Sequence, residues 1–251
     1  MIISSPKISD ISRLKELFAQ AFGDEGDFID IFFDTAFSQS HARAVYIDEK
    51  IASMLYWFDC EYSGGKLAYI YAVATDKAYR GQGLCQMLME NTHKHLKELG
   101  YIGAILVPSE PSLFGFYQRL GYKDCSFIGE SEAKSATQGC HFTKIDKQEY
   151  ALLRKEYLPK NSVIQEGKNL EFLDKLATFI KGDDFILSYS IYDGKLHAYE
   201  LLGKCDKAPN ILCALGVESG SFRGVGNSRP FTMLYPFEDF EPPKYFAFAF
   251  D

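Results

Sequence analysis

The first 145 residues predict an α/β fold, and the remainder predicts a smaller β-rich α+β domain. Three observations carry this. Strand-like and helical patterns alternate over 1–145 in the order ααβββ-α-β-α-β. Residues 102–107 form a short, wholly apolar run, as a strand buried on both faces requires. Beyond 150, strand-like runs dominate, two of them flanking Asp193-Gly194, the strongest short hairpin signal in the chain. The change of pattern puts a boundary near 145–160, with domains over 1–145 and 150–251.

The elements follow in order. Ile11, Leu14, Leu17, Phe18 and Ala21 repeat at helical spacing, with Asp10 in the N-cap position. A second amphipathic pattern covers 27–37, joined to the first by the acidic Gly23-Asp24-Glu25-Gly26. Strand patterns cover 42–47, 51–58 and 67–74, and a helix pattern runs from Leu84 to Gly100, a C′ glycine. Pro108 closes the apolar strand. A short helix over 112–120 ends at Gly121, and a strand follows over 122–128.

The polar 129–139 reads as a loop. Helices are expected over 147–158 and 170–180, the latter capped by Gly182. Strands are expected over 185–192, 195–202, 211–215, 231–235 and 245–250. The last of these alternates Tyr245, Ala247, Ala249 and Asp251 against Phe246, Phe248 and Phe250, so it should be paired and packed.

Composition narrows the function. A net charge of -7 argues against a nucleic-acid surface and suits cationic partners better than anionic ones. The N-terminus lacks the apolar core of an export signal, and no run is long enough to cross a membrane. A cytoplasmic setting with free thiols is therefore expected for the six scattered cysteines. They show no Cys-x-x-Cys or Cys/His cluster, so no metal is expected. His93 and His95 fall on different faces of their helix and read as solvated.

The chemistry concentrates at Val73-Ala74-Thr75-Asp76-Lys77-Ala78-Tyr79-Arg80-Gly81-Gln82-Gly83-Leu84. A strand enters a glycine turn and leaves it as a helix. Such a turn gathers backbone N–H groups at the positive end of a helix dipole, which makes an anion site suited to pyrophosphate. No Gly-Lys-[Ser/Thr] follows, so phosphoryl transfer is disfavoured. Arg223-Gly224-Val225-Gly226 repeats the turn's pattern, but a strand rather than a helix follows it, and it reads as a loop.

With Leu113-Phe114-Gly115-Phe116-Tyr117-Gln118-Arg119-Leu120-Gly121-Tyr122 about 33 residues downstream, residues 1–145 resemble the GNAT superfamily of N-acetyltransferases. The second half resembles the degenerate GNAT-like domain of tandem members by element pattern alone. The resemblance implies a mixed central sheet with flanking helices, acetyl-CoA as co-substrate and a small-molecule amine as acceptor. It places the pantetheine arm against the backbone of Val73, Ala74 and Thr75. The pyrophosphate would lie on Gly81, Gln82, Gly83, Leu84 and Cys85, with Arg80 adding charge. Tyr117 would be the general acid, its phenol close enough in pKa to a thiol to exchange a proton. The acidic 23–27 segment would border a cationic acceptor.

One departure is visible. Many members carry a carboxylate on the strand before the pyrophosphate turn, and Leu67-Ala68-Tyr69-Ile70-Tyr71-Ala72-Val73 has none. Asp59, Glu61 and Glu110 are the nearby alternatives, with a water chain as a fourth. The missing carboxylate also leaves open a non-catalytic acyl-CoA-binding or sensing module, and a longer acyl group is not excluded. The second half is expected to wall the acceptor side of the cleft or to act only as a stabilising domain.

Overall fold

Apolar alternation, two helix-capping glycines and a parallel crossover shape the first part of the chain. A computed structural model describes residues 1–23 and 26–250. Asp24 and Glu25 of the acidic connection, and Asp251 of the terminal pattern, lie outside the described residues. The elements are β1 (Ile2–Ser4), α1 (Ile11–Phe22), α2 (Gly26–Thr35), β2 (Ala42–Ile47), β3 (Lys50–Tyr62), β4 (Gly65–Thr75), α3 (Leu84–Glu98), β5 (Tyr101–Leu106) and α4 (Leu113–Arg119). They continue as β6 (Lys123–Lys134), β7 (Thr143–Ile145), α5 (Lys147–Tyr157), α6 (Lys168–Leu176), β8 (Thr178–Lys181), β9 (Phe185–Tyr192), β10 (Lys195–Gly203), α7 (Ala208–Leu215) and β11 (Ser219–Pro236).

These form two compact units. Unit 1 is Met1–Lys123 with Gly167–Phe172 and Met233–Glu241; unit 2 is Asp124–Glu166 with Leu173–Thr232 and Pro242–Asp251. The units are interleaved in sequence, whereas the sequence pattern suggests two consecutive stretches.

In unit 1 the sheet runs β1-β2-β3-β4-β5, followed by the end of β11, where Met233 pairs Leu106 and Tyr235 pairs Ala104. β4 and β5 are parallel, with α3 as their crossover, and the other pairs are antiparallel. The sheet is thus mixed. Leu84, Leu88, Thr92 and Leu96 fall one turn apart on α3 and are buried. The three leucines meet Leu55, Trp57, Ile70, Tyr117, Tyr122 and Met233 in one apolar core. On the α1–α2 side, Phe32 lies 5.5 Å from Phe18 and 5.2 Å edge-on from Tyr56, and Phe172 lies 5.6 Å from Phe32. Asp10 does not cap α1. Its carboxylate accepts the Lys7 N–H at 2.8 Å and the Tyr46 hydroxyl at 2.6 Å instead.

Unit 2 holds a sheet in the order β7-β8-β9-β10-β11, with β6 also paired to β11. The Asp193-Gly194 turn joins β9 to β10, with φ of 49° and 71° as a tight hairpin demands. Several expectations are corrected here. Residues 129–134 continue β6 rather than forming a loop. The 170–180 helix stops at Leu176, and Phe179 and Ile180 belong to β8, because β-branched and aromatic residues there pair with β9. Residues 211–215 lie in α7, whose Pro209 suits the first helical turn.

The repeated Arg223-Gly224-Val225-Gly226 is strand, not loop. A Cβ on Gly226 would meet the Gly129 Cα at 2.6 Å, so the two glycines let β6 and β11 approach closely. The 245–250 segment is buried as expected but is not a ladder strand; only Ser162 and Tyr245 bridge. The Gln165 side chain acts as its partner. Its amide accepts from Phe248 N at 3.0 Å and donates to Phe248 O at 2.9 Å. Below it, Arg154 and Glu200 make a buried fork, Nε–Oε2 2.6 Å and Nη2–Oε1 3.1 Å, with Tyr150 donating to Glu200 at 2.9 Å.

Candidate active site

The site begins where two parallel strands part. β4 pairs β5 from Lys66 to Ile70, opposite Leu106, and then runs on to Thr75 without a β5 partner in the register. A register shift against β3 falls in the same place, and Ala72 sits there with φ of 52°. A non-glycine residue in the left-handed region at a bulge is strained backbone held in place by its surroundings.

The ladder fixes which groups face the gap. Asp76 N donates to Ala52 O at 2.9 Å, so Asp76 and Ala74 face β3, and the N–H groups of Val73 and Thr75 face the other edge. Ser53 Oγ braces the strand end, donating to Ala74 O at 2.9 Å and lying 2.8 Å from Thr75 Oγ1.

The turn follows. Arg80, Gly81, Gln82 and Gly83 are exposed, and Arg80 Nε folds back onto Thr75 O at 3.1 Å. Gly81 and Gly83 have φ of 76° and 74°, while a Cβ at either would meet nothing within 4 Å. Conformation, rather than internal crowding, therefore demands glycine. α3 starts from Gly83 with no side-chain cap, so its first N–H groups have no partner inside the helix. Leu84 is buried as an anchor. Burial pushes the Cys85 thiol up to about 11, which keeps it protonated and unsuited to nucleophilic attack.

Tyr117 projects from α4 into the core at 7 % exposure. Its ring is edge-on to Phe116 at 5.2 Å and to Tyr122 at 5.8 Å. Burial, with Cys85 adding to it, raises the Tyr117 phenol well above the ordinary tyrosine range. The near match of phenol and thiol expected from free side chains is therefore corrected: this tyrosine is a weaker acid than a free phenol and stays protonated at neutral pH. Cys85, at the start of α3, packs against the same apolar core as Tyr117.

Two base candidates do not reach this end of the sheet. Asp59 pairs with Ala68 and Glu61 with Lys66, whereas Thr75 pairs with Ser53. Six residues of β3 separate Ser53 from Asp59, about 20 Å at strand rise. Asp59 is otherwise engaged: burial works to raise its pKa, but hydrogen bonds from His41 (3.2 Å) and Tyr101 prevail and lower it. Glu110 follows β5 at the same end as Thr75 and is exposed.

His93 is corrected from solvated to buried. Its Nε2 lies 2.7 Å from the Tyr122 hydroxyl and its ring stacks on Tyr235 at 4.3 Å. Burial lowers it to about 4. Because the folded pKa lies below the unfolded value of about 6.5, the unfolded chain binds the extra proton, and stability falls as pH drops from 6.5 to 4. The loss is on the order of 3 kcal/mol. Melting curves across that window should fall more gently for His93→Gln than for the parent.

The strained Ala72 and the packing of Tyr117 on Tyr122 were not legible in the sequence. The one available signal was Gly121-Tyr122, which turns Tyr122 back onto Tyr117 and His93. Among the described residues no three His, Cys, Asp or Glu side chains gather as metal ligands, and no helix is long and apolar enough to cross a membrane.

Comparison with known proteins follows this geometry. A family model described as an acetyltransferase (GNAT) domain matches residues 3–125. Among solved structures, a GCN5-related N-acetyltransferase from Anabaena variabilis superposes with a TM-score of 0.71 at 15% identity, over 93% of this chain and 72% of that one. A probable N-acyltransferase from Enterococcus faecalis gives 0.71 at 18%, over 94% and 72%. A putative acetyltransferase from Pyrococcus horikoshii gives 0.65 at 13%, over 94% and 89%. Curated proteins give no match. Residues 3–125 are thus similar to the GNAT acetyltransferase domain, and the fold of the chain is that of these solved structures.

Proposed function

We propose that the protein transfers an acetyl group from acetyl-CoA to a primary amine by direct attack. The observation that carries this is the convergence of three features: a strand edge with outward N–H groups, a glycine-entered helix start without a cap, and a buried, protonated Tyr117. Val73 and Thr75 N–H groups would hold the pantetheine arm and polarise the thioester carbonyl, with Ala74 fixing the strand between them. The amides of Gly81, Gln82, Gly83, Leu84 and Cys85 would cradle the pyrophosphate, and Arg80 would add charge.

The amine nitrogen attacks the carbonyl carbon, the C–S bond breaks, and Tyr117 gives its proton to the departing sulfur. The attacking nitrogen loses a proton in turn, so an N–H becomes an S–H overall. Glu110 or a water chain is the acceptor for that proton. Asp27, in the first turn of α2, would favour a cationic acceptor. Because β4 bears no carboxylate, a binding module without turnover is the alternative, and thiol release on a panel of amines separates the two.

Calorimetry with acetyl-CoA tests the cofactor site. Gly83→Asp clashes with nothing within 4 Å and should fold, with a lower melting temperature from the strained left-handed backbone. It should nevertheless bind at least about thirtyfold more weakly, through repulsion of the pyrophosphate worth about 2 kcal/mol. Gly83→Asn tolerates the left-handed backbone and should retain most of the affinity. Absence of acetyl-CoA binding to the parent protein at millimolar concentration would sink the reading.

A further inference from the structure

The four residues between β4 and the glycine turn have all their backbone N–H groups satisfied, one of them directly by α1, which also holds the Asp76 carboxylate that receives another. Asp76 N donates to Ala52 O, and Tyr79 N donates to Asp76 O at 2.9 Å. Ala78 N donates to Asp76 Oδ1 at 2.8 Å, closing a single turn over Lys77–Tyr79. Lys77 N donates to Gln20 Oε1 of α1 at 3.1 Å. The other Asp76 oxygen receives the guanidinium of Arg13, also on α1, whose Nε donates to Ile51 O at 3.2 Å and whose Nη1 pairs Glu16 at 3.0 Å.

Arg13 and Gln20 are seven residues apart, two helical turns, so both come from one face of α1. The Arg13–Asp76 contact is partly shielded, with side-chain exposures of 32% and 14%. The Ala78 N–H first, and then Arg13, hold the Asp76 carboxyl below the usual carboxylate range. The segment thus spends its own donors internally, whereas the next one, Gly81 to Cys85, keeps its donors for a ligand.

We infer that Arg13, Gln20 and Asp76 are positioning residues for the acyl-CoA loop. α1 grips the connection so that the N–H of Thr75 and those of the glycine turn keep a fixed spacing along the bound pantetheine pyrophosphate. Arg13 has a second effect by neutralising a carboxylate that borders an anion site; without it, Asp76 stands bare beside the phosphates. The inference rests on the acetyl-CoA reading above.

The test is calorimetric affinity for acetyl-CoA, read beside melting temperature, on the full chain. Arg13→Gln should weaken binding about tenfold, the equivalent of one partly shielded, hydrogen-bonded ion pair. Arg13→Lys keeps the charge and should stay within about threefold of the parent. The double variant Arg13→Gln/Asp76→Asn should bind no more weakly than Arg13→Gln, because removing the bare carboxylate offsets the lost partner. Gln20→Ala removes one neutral hydrogen bond and should weaken binding about threefold; it decides the matter if Arg13→Gln does not fold.

Parent-like affinity in both Arg13→Gln and Gln20→Ala overturns the inference alone. So does an Arg13→Lys as weak as Arg13→Gln with a matching fall in melting temperature, since that marks a purely structural contact. A parent protein that does not bind acetyl-CoA overturns the inference together with the functional reading beneath it.

Discussion

Replacing Tyr117 by Phe should lower kcat about 10²–10⁴-fold while leaving acetyl-CoA affinity within about twofold, the signature of a group used only as the thiolate leaves. The ring's contacts with Phe116 and Tyr122 survive the change, so the fold should persist. Burial keeps the phenol protonated far above neutral pH. No alkaline loss of activity below pH 10 should therefore trace to this residue, and the pH profile of the parent should show none that Tyr117→Phe abolishes. Thiol release with any amine that supports turnover measures both quantities. A fall of less than threefold would leave Tyr117 a packing residue with no part in the chemistry.

Arg154→Met should destabilise the protein by about 3–5 kcal/mol, the usual result of orphaning a buried charge. Glu200 is fully buried and would lose its guanidinium partner while keeping the Tyr150 hydroxyl. Methionine preserves much of the volume and the contact with Phe248, over whose ring Arg154 sits at 4.2 Å. The loss should therefore come from electrostatics and not from a cavity. Chemical denaturation checks the magnitude. Arg154→Met/Glu200→Met should recover most of the stability.

The parts of this protein that local chemistry determines were legible in its sequence. Gly81 and Gly83 announce a left-handed turn whatever surrounds them. The 3.6-residue spacing of Leu84, Leu88 and Leu96 marks α3, and Asp193-Gly194 marks its hairpin. What depended on distant partners was not legible. Residues 129–134 are polar and small because β11 crosses them at Gly226, and nothing local reports that crossing. Residues 211–215 are as apolar as a strand, but packing onto the second core makes them a helix. His93 looks like any polar residue on a helix until Tyr122 and Tyr235 close over it. Asp59 and Glu61 miss the site for a related reason: they are near Thr75 in sequence, but an antiparallel turn sends them to the far end of the sheet. The α1 grip was out of reach because it joins Arg13 to Asp76 across 63 residues.

The pairing of β5 with residues 233–236 sets the timetable of folding. Tyr101–Leu106 leaves the ribosome early with one edge open, and its partner emerges more than a hundred residues later. At ordinary elongation rates of about 5–20 residues per second, that edge waits on the order of ten seconds. An apolar strand held open for so long is a template for the wrong neighbour, in the same chain or another. High contact order also slows the correct closure. Overexpression at reduced temperature or with chaperones should thus raise soluble yield, and chains ended before residue 233 should be recovered mainly as aggregate.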